Sequence, residues 1–181
     1  PLFILMGHLA SVSGIVTDLF HAVNKWFGRV PGGFCMATIV GCAGFGAVCG
    51  SSTGAAATMS AVAYPEMTKY GYKPEFSLGT IAAGGTLGIM IPPSIPFIIY
   101  GVLTEQSIGK LFVAGILPGI LLTALFVVTV YIIAKVRPEL APLTPLASEK
   151  ITWAEKFVSL RGAWGVIVLA TIVMGGLYSG L

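Results

Sequence analysis

The sequence has 181 residues, of which 56% are apolar and only 9% are charged, and its mean hydropathy is +0.93. Soluble domains carry about 25% charged residues, so this composition excludes an ordinary soluble domain and indicates an integral membrane protein. The net charge of +3 is spread in small groups without a polybasic tract, which argues against nucleic acid as a partner.

Four stretches contain no Asp, Glu, Lys or Arg, and each meets or exceeds the roughly 20 residues that cross the hydrocarbon of a bilayer. The stretches are residues 30–65, 76–104, 111–134 and 162–181. The chain starts at Pro1 without an initiator Met or a basic signal-peptide region. We therefore expect a fragment of a longer membrane protein.

The first unit, residues 1–33, is predicted to be the end of a membrane helix followed by a charged loop or surface helix. The second unit, residues 34–65, decides the architecture, because it is too long for one untilted span and too short for two. The small residues Gly50-Ser51-Ser52-Thr53-Gly54 divide it into two arms. This pattern predicts a re-entrant helical hairpin whose tip turns near the middle of the membrane.

The third unit, residues 66–104, is predicted to be a polar surface turn followed by a broken transmembrane helix. Pro92 and Pro93 each lack a backbone donor and disfavour helix in the residue before them. The two half-helices are expected over residues 76–87 and 95–104. The remaining units are expected as follows: a short loop and an ordinary span (105–134), a cytoplasmic linker with an amphipathic interfacial helix or a solvated connector (135–161), and a last, truncated span (162–181).

The distribution of positive charge gives a topology. Nine of the ten Lys and Arg residues fall in the predicted loops 18–33, 66–75 and 135–161, and only Lys110 falls elsewhere. The positive-inside rule places the rich side in the cytoplasm. Two short complete crossings of residues 34–65 would give the same distribution, so only the length of that unit favours re-entry.

The two interruptions indicate a transport site. Non-helical backbone cannot face lipid, because each unpaired N–H or C=O costs several kcal/mol there, and paired broken segments are typical of secondary transporters. Bare carbonyls and hydroxyls are uncharged oxygen ligands that suit a hard cation such as Na⁺, and half-helix N-termini after Gly54 and after Pro93 suit a carboxylate. The alternative is that the glycines only let helices pack closely. The hydroxyl groups come from Ser51, Ser52, Thr53, Thr86 and Ser94.

Several motifs resemble one family. They are PLFILMG near the start, PGG at residues 31–33, GSS at 50–52 and TLGIMIPPSIPFIIYGVLTEQSIGKLFVAGILPG at 86–119. Together they are similar to the large membrane (M) subunit of the TRAP, or tripartite ATP-independent periplasmic, transporters. The final RGAWGVIVLATIVMGGLYSGL resembles the start of that family's second half, so the chain would be the N-terminal half of such a subunit.

This resemblance implies an all-α, elevator-type transporter repeat in the bacterial inner membrane, crossing it several times. It implies sodium-coupled import of an organic acid of the C4-dicarboxylate or sugar-acid type, with Na⁺ as the coupling ion. The implied partners are a small four-helix membrane (Q) subunit, a periplasmic solute-binding (P) protein, the small organic anion and membrane lipid.

The resemblance also carries over a site. The expected sodium ligands are Gly50, Ser51, Ser52, Gly88, Pro92, Pro93 and Ser94. The expected substrate contacts are Thr53, Gly54, Thr86 and Ser94. The alternative function is a non-coupled channel or scaffold subunit in which the breaks only pack helices. An enzyme is not expected, because the predicted spans contain no catalytic acid, base or metal cluster.

Overall fold

The computed structural model describes residues 12–28, 30–142 and 164–179, together with Leu5 and Leu9. The described chain is helical apart from its turns and contains no β-strand, which confirms the all-α prediction for this part of the sequence. The helices are α1 (Ile15–Phe27), α2 (Gly33–Cys49), α3 (Ser52–Lys69), α4 (Pro74–Gly85), α5 (Leu87–Met90), α6 (Ile95–Leu103), α7 (Ile108–Val136) and α8 (Trp164–Ser179).

Helix α2 lies at the centre of the fold. It is apolar on every side, and 13 of its 17 residues are buried. A helix of this kind has no polar face to turn to solvent and must be surrounded by other elements. It packs against α1, α3, α4, α5, α7 and α8. Every element of the candidate site is therefore positioned by contact with α2 or with its direct neighbours.

Helices α2 and α3 form a hairpin with a turn of only two residues. Gly50 ends α2 in the left-handed conformation, with φ of 57°, which a residue with a side chain rarely adopts. Ser51 caps α3, because its hydroxyl accepts a hydrogen bond from the Gly54 N–H at 3.3 Å. The predicted interruption at residues 50–54 is thus shorter in the structure, and Thr53 and Gly54 lie in the first turn of α3.

The second arm of the hairpin is longer than the sequence predicts. Helix α3 continues through Pro65 and ends at Lys69, whereas the hairpin was expected to end at residue 65. Two segments of the described chain, Pro74–Leu103 and Ile108–Val136, are long and apolar enough to cross a membrane. Helix α2 is apolar but has only 17 residues. Re-entry of the hairpin into a bilayer stays a prediction.

The segment after α7 returns to the start of α4. The Lys73 N–H, at the N-cap of α4, donates to the Leu140 carbonyl at 3.0 Å. This bond brings the C-terminal end of α7 beside the N-terminal end of α4. The predicted interfacial helix at 153–162 lies outside the described residues, and so does most of the predicted helix end at 1–17. The last predicted span contains α8, which packs against α1 and α2.

Candidate functional site

The tip of the hairpin packs directly against α5. A Cβ atom added at Gly88 would lie 2.7 Å from the Ser51 carbonyl oxygen, and one added at Gly46 would lie 2.7 Å from the Gly88 Cα. A Cβ added at Gly85 would lie 3.1 Å from the Ser52 carbonyl oxygen. Backbone meets backbone at these points, which only glycine permits. The structure therefore brings the two interrupted segments into contact.

A second contact joins the hairpin tip to the far side of the break. The Ile95 N–H, at the start of α6, donates to the Gly50 carbonyl at 3.3 Å. Ser94 precedes α6 in an extended conformation and is fully buried. The tip thus contacts both helices that flank the break, with Gly88 on one side and Ile95 on the other.

The two prolines of the break remove specific hydrogen bonds. In a continuous helix the carbonyls of Gly88 and Ile89 would accept from the N–H groups four residues later, which belong to Pro92 and Pro93 and do not exist. The Ser94 hydroxyl replaces one of them by donating to the Ile89 carbonyl at 2.8 Å. No turn or cap hydrogen bond of the described residues ends on the Gly88 carbonyl. Gly88 is buried, so its carbonyl oxygen is a candidate ligand for a cation.

The C-terminal end of α2 supplies further oxygens at the tip. The last four carbonyls of a helix have no intrahelical donor. Here the Gly50 N–H satisfies the Gly46 carbonyl at 2.9 Å, and no turn or cap bond within the described chain reaches the carbonyls of Ala47, Val48 or Cys49. The end of a helix also carries about half a negative charge. This end of α2 is therefore suited to a cation.

The start of α3 carries backbone N–H donors, in contrast to the carbonyl oxygens at the end of α2. The Ser51 side chain accepts from the Gly54 N–H, and the Ser51 carbonyl accepts from the Ala55 N–H at 3.0 Å. The N–H groups of Ser52 and Thr53 take part in no turn or cap bond resolved in the described residues. Two donors at the positive end of a helix suit an anion. At α6 the Ile95 N–H is already used, so the predicted anion site after Pro93 is weaker than the one on α3.

Two of the three residues with hydroxyls predicted to contact substrate, Thr53 and Thr86, are exposed, whereas Ser94 is buried. Thr53 is exposed, and its hydroxyl oxygen is 3.2 Å from that of Ser51. Thr86 is exposed at the junction of α4 and α5, where its hydroxyl donates to the Ala83 carbonyl at 2.7 Å. The Cys49 thiol donates to the Ser51 carbonyl at 3.3 Å, a contact that sequence reasoning missed because nothing in the pattern signals it.

Sequence reasoning also missed the support that α7 gives to the break. A Cβ added at Gly115 would lie 3.1 Å from the Met90 carbonyl oxygen, and one added at Gly119 would lie 2.9 Å from the Ile91 Cγ1. The spacing of these two glycines is the small-xxx-small pattern of close helix packing. That signal was present in a segment predicted to be an ordinary span.

Comparison with known proteins places the chain in a transporter family. All 181 residues match the family model described as tripartite ATP-independent periplasmic transporter, DctM component. The chain is 37% identical to the C4-dicarboxylate TRAP transporter large permease protein DctM of Pseudomonas aeruginosa, over 99% of this chain and 41% of that protein. It is 35% identical to the ectoine TRAP transporter large permease protein TeaC of Halomonas elongata, over 100% of this chain and 41% of that protein.

A third relative differs again in the substrate for which it is named. The chain is 33% identical to the sialic acid TRAP transporter large permease protein SiaM of Vibrio cholerae, over 99% of this chain and 41% of that protein. The chain thus spans about two fifths of the length of these curated relatives, which are transporter permease subunits and not enzymes. The match over its whole length shows that the chain belongs to the family of DctM components of tripartite ATP-independent periplasmic transporters.

Proposed function

We propose that this chain forms part of a permease that couples the uptake of a small organic anion to the sodium gradient across the bacterial inner membrane. The observation that carries the proposal is the Gly88 carbonyl, which Pro92 deprives of a donor and which lies in the segment packed on the hairpin tip. The relatives are named for C4-dicarboxylates, ectoine, sialic acid and isethionate. The first three carry a carboxylate and isethionate carries a sulfonate, so we infer an organic acid without choosing among them.

The residues present fit a sodium ion. The carbonyl of Gly88 and the carbonyls at the end of α2 are uncharged hard oxygens, and half-helix ends of this kind coordinate sodium in other transporters. The Ser51 and Ser94 hydroxyls keep lone pairs beside them. When bound, the ion supplies a positive charge at the tip that attracts a substrate carboxylate.

The anion would be held by the opposite end of the turn. The N–H groups of Ser52 and Thr53 and the exposed hydroxyl of Thr53 are donors at the positive end of α3. Gly54 leaves room beside them, since a Cβ there meets its nearest neighbour at 3.5 Å. A contact from Thr86 to the substrate belongs to the same proposal.

We also propose the partners and the motion that the family implies. A small four-helix membrane subunit and a periplasmic solute-binding protein would deliver the substrate. The hairpin and the broken helix would move together across the membrane as an elevator. The contacts of Gly88 and Ile95 with the tip support a joint movement, because they bind both sides of the break to the hairpin.

The test is sodium-driven uptake by the intact permease, reconstituted in vesicles with its partner subunits. We expect the double variant Ser52→Ala with Ser94→Ala to lose sodium-dependent uptake while expression stays normal. Uptake equal to that of the unchanged protein would contradict the proposal. A channel or scaffold subunit would instead show flux without saturation and without dependence on sodium, or no flux at all.

A further inference from the structure

A groove of about 300 Å³ lies between α2, α4 and α7, and its lining includes neither the hairpin tip nor the break. Most of its lining is apolar, including Phe76 and Phe126. Its two threonines offer no free donor to a polar ligand, because the Thr80 hydroxyl donates to the Phe76 carbonyl and the Thr129 hydroxyl to the Leu125 carbonyl, both at 2.8 Å. The groove therefore suits a hydrocarbon chain.

One charged group lines this groove. Glu75 lies in the first turn of α4 and is exposed. The structure pairs its carboxylate with no basic side chain of the described residues. A ligand that fills the groove and also carries a cation at one end would satisfy both the apolar walls and this carboxylate.

The position of the groove indicates that its ligand is a lipid of the membrane. Apart from Ile39 of α2, its lining residues belong to the two segments that are long and apolar enough to span a bilayer, Pro74–Leu103 and Ile108–Val136. Glu75 is the second residue of the first segment, so the charge sits at the end of a candidate span, where a lipid headgroup lies. Lys73 lies beside it, and its backbone bond to Leu140 brings the basic end of α7 close.

We propose that the groove binds a phosphatidylethanolamine, with one acyl chain in the groove and the headgroup ammonium against Glu75. The lipid phosphate would face the positive charges of Lys73 and the end of α7. Phosphatidylglycerol has no cation to offer the carboxylate. Phosphatidylcholine has one, but its quaternary ammonium cannot donate a hydrogen bond. The inference is independent of the sodium site, because no groove residue belongs to the hairpin tip or the break.

Gly79, which lines the groove, provides a test variant. A Cβ added at Gly79 would meet no atom within 4 Å, so Gly79→Leu fills the groove without a clash at Cβ. Gly175 on α8 is likewise free of neighbours within 4 Å, and Gly175→Leu is the matched control. Glu75→Gln keeps the shape of the side chain and removes only its charge.

The experiment is native mass spectrometry of the intact permease after delipidation and addition of the dioleoyl forms of the three lipids. We expect phosphatidylethanolamine to be retained about ten-fold better than the other two, as one charge-assisted hydrogen bond would give. Glu75→Gln should abolish this preference, Gly79→Leu should lower retention of every lipid, and Gly175→Leu should change neither.

Several results would overturn the proposal. Equal retention of the three lipids by the unchanged protein, or a preference for phosphatidylglycerol, would show that the Glu75 carboxylate does not bind the headgroup. Unchanged retention by Gly79→Leu would show that no acyl chain occupies the groove. The Glu75→Gln measurement remains decisive even if the leucine variant fails to fold, because an isosteric change on an exposed side chain leaves packing intact.

Discussion

Ser94 determines which backbone carbonyls between α5 and α6 are left without a hydrogen-bond donor. The Ser94 side chain is fully buried, and its hydroxyl donates to the Ile89 carbonyl at 2.8 Å. Pro93 cannot supply that bond, so the serine replaces it. Ser94 was predicted to be a direct ligand of the ion, and the structure adds a positioning role through Ile89. The proton of the hydroxyl is committed to Ile89, and only its lone pairs can face a cation.

The first prediction concerns the stability that this serine provides. Ser94→Ala leaves the part-buried Ile89 carbonyl without its side-chain donor, and the loss of one such hydrogen bond costs about 1 kcal/mol. Ser77 is the matched control, because it is equally buried and its Oγ has no hydrogen-bond partner. Thermal unfolding of the intact permease should show a lower Tm for Ser94→Ala and an unchanged or higher Tm for Ser77→Ala. Equal losses in the two variants would show that the hydroxyl of Ser94 has no special role.

The second prediction concerns the backbone contact between the two interruptions. Gly88→Ala places a methyl group 2.7 Å from the Ser51 carbonyl oxygen, and overpacking of this kind costs about 1–3 kcal/mol. The tip must then move away from the break, so we expect both the Tm and sodium-dependent uptake to fall. Gly175→Ala, at a position with no neighbours within 4 Å, should behave like the unchanged protein. Normal uptake by Gly88→Ala would argue against a site at this contact.

At the scale of the element, the hairpin shows where sequence reasoning succeeds. The run of small residues at 50–54 predicted a turn, because such residues tolerate unusual backbone angles and allow close approach. The structure has the turn at Gly50 and Ser51. Reasoning from composition extended the turn too far, because it did not weigh the Ser51 cap, which lets a helix begin at Ser52. The hairpin was predicted to end at residue 65, where the uncharged run ends, yet α3 continues through Pro65 to Lys69, because a helix held by packing can continue past one missing donor.

The third prediction separates the two glycines that bound this turn. Gly50 has φ of 57° and Gly54 lies in a helix. Alanine at Gly50 must adopt a left-handed conformation that costs about 1–2 kcal/mol, whereas alanine at Gly54 meets only ordinary contacts at 3.5 Å. The Tm of Gly50→Ala should therefore fall below that of Gly54→Ala. The opposite order would mean that the turn differs from the one described.

At the scale of the whole molecule, the sequence predicted that two interruptions about 40 residues apart would meet. That prediction rested on the logic of transporters, in which half-helices face one another within the membrane. The structure brings Gly88 against Ser51. The packing of Gly115 and Gly119 of α7 against the break could not be predicted from the sequence, because the same glycine spacing occurs wherever two helices pack closely. The partner of a packing motif is a property of the tertiary fold.

The exposed surface is consistent with a chain that works among lipids and other subunits. Helix α7 exposes a broad apolar face, with Leu117 and Val136 more than 70% exposed. A face of this size is typical of contact with a membrane or with further protein. The chain spans about two fifths of the length of its curated relatives, so either lipid or further protein can cover this face of α7.

The most direct test of the account is a sodium titration of thermal stability. An ion that binds the folded protein stabilises it by RT ln(1 + [Na⁺]/Kd), about 2.7 kcal/mol at one hundred times Kd. Pro92→Ala introduces the N–H that a helix continuing through the break would donate to the Gly88 carbonyl, and so competes with the ion for a proposed ligand. Pro65→Ala, inside α3, is the control for loss of a proline from a helix.

We predict that sodium raises the Tm of the unchanged permease and of Pro65→Ala, that potassium does not, and that Pro92→Ala needs about ten-fold more sodium for the same shift. Equal stabilisation by sodium and potassium, or an unchanged sodium response in Pro92→Ala, would contradict the proposal that the two interruptions form the cation site.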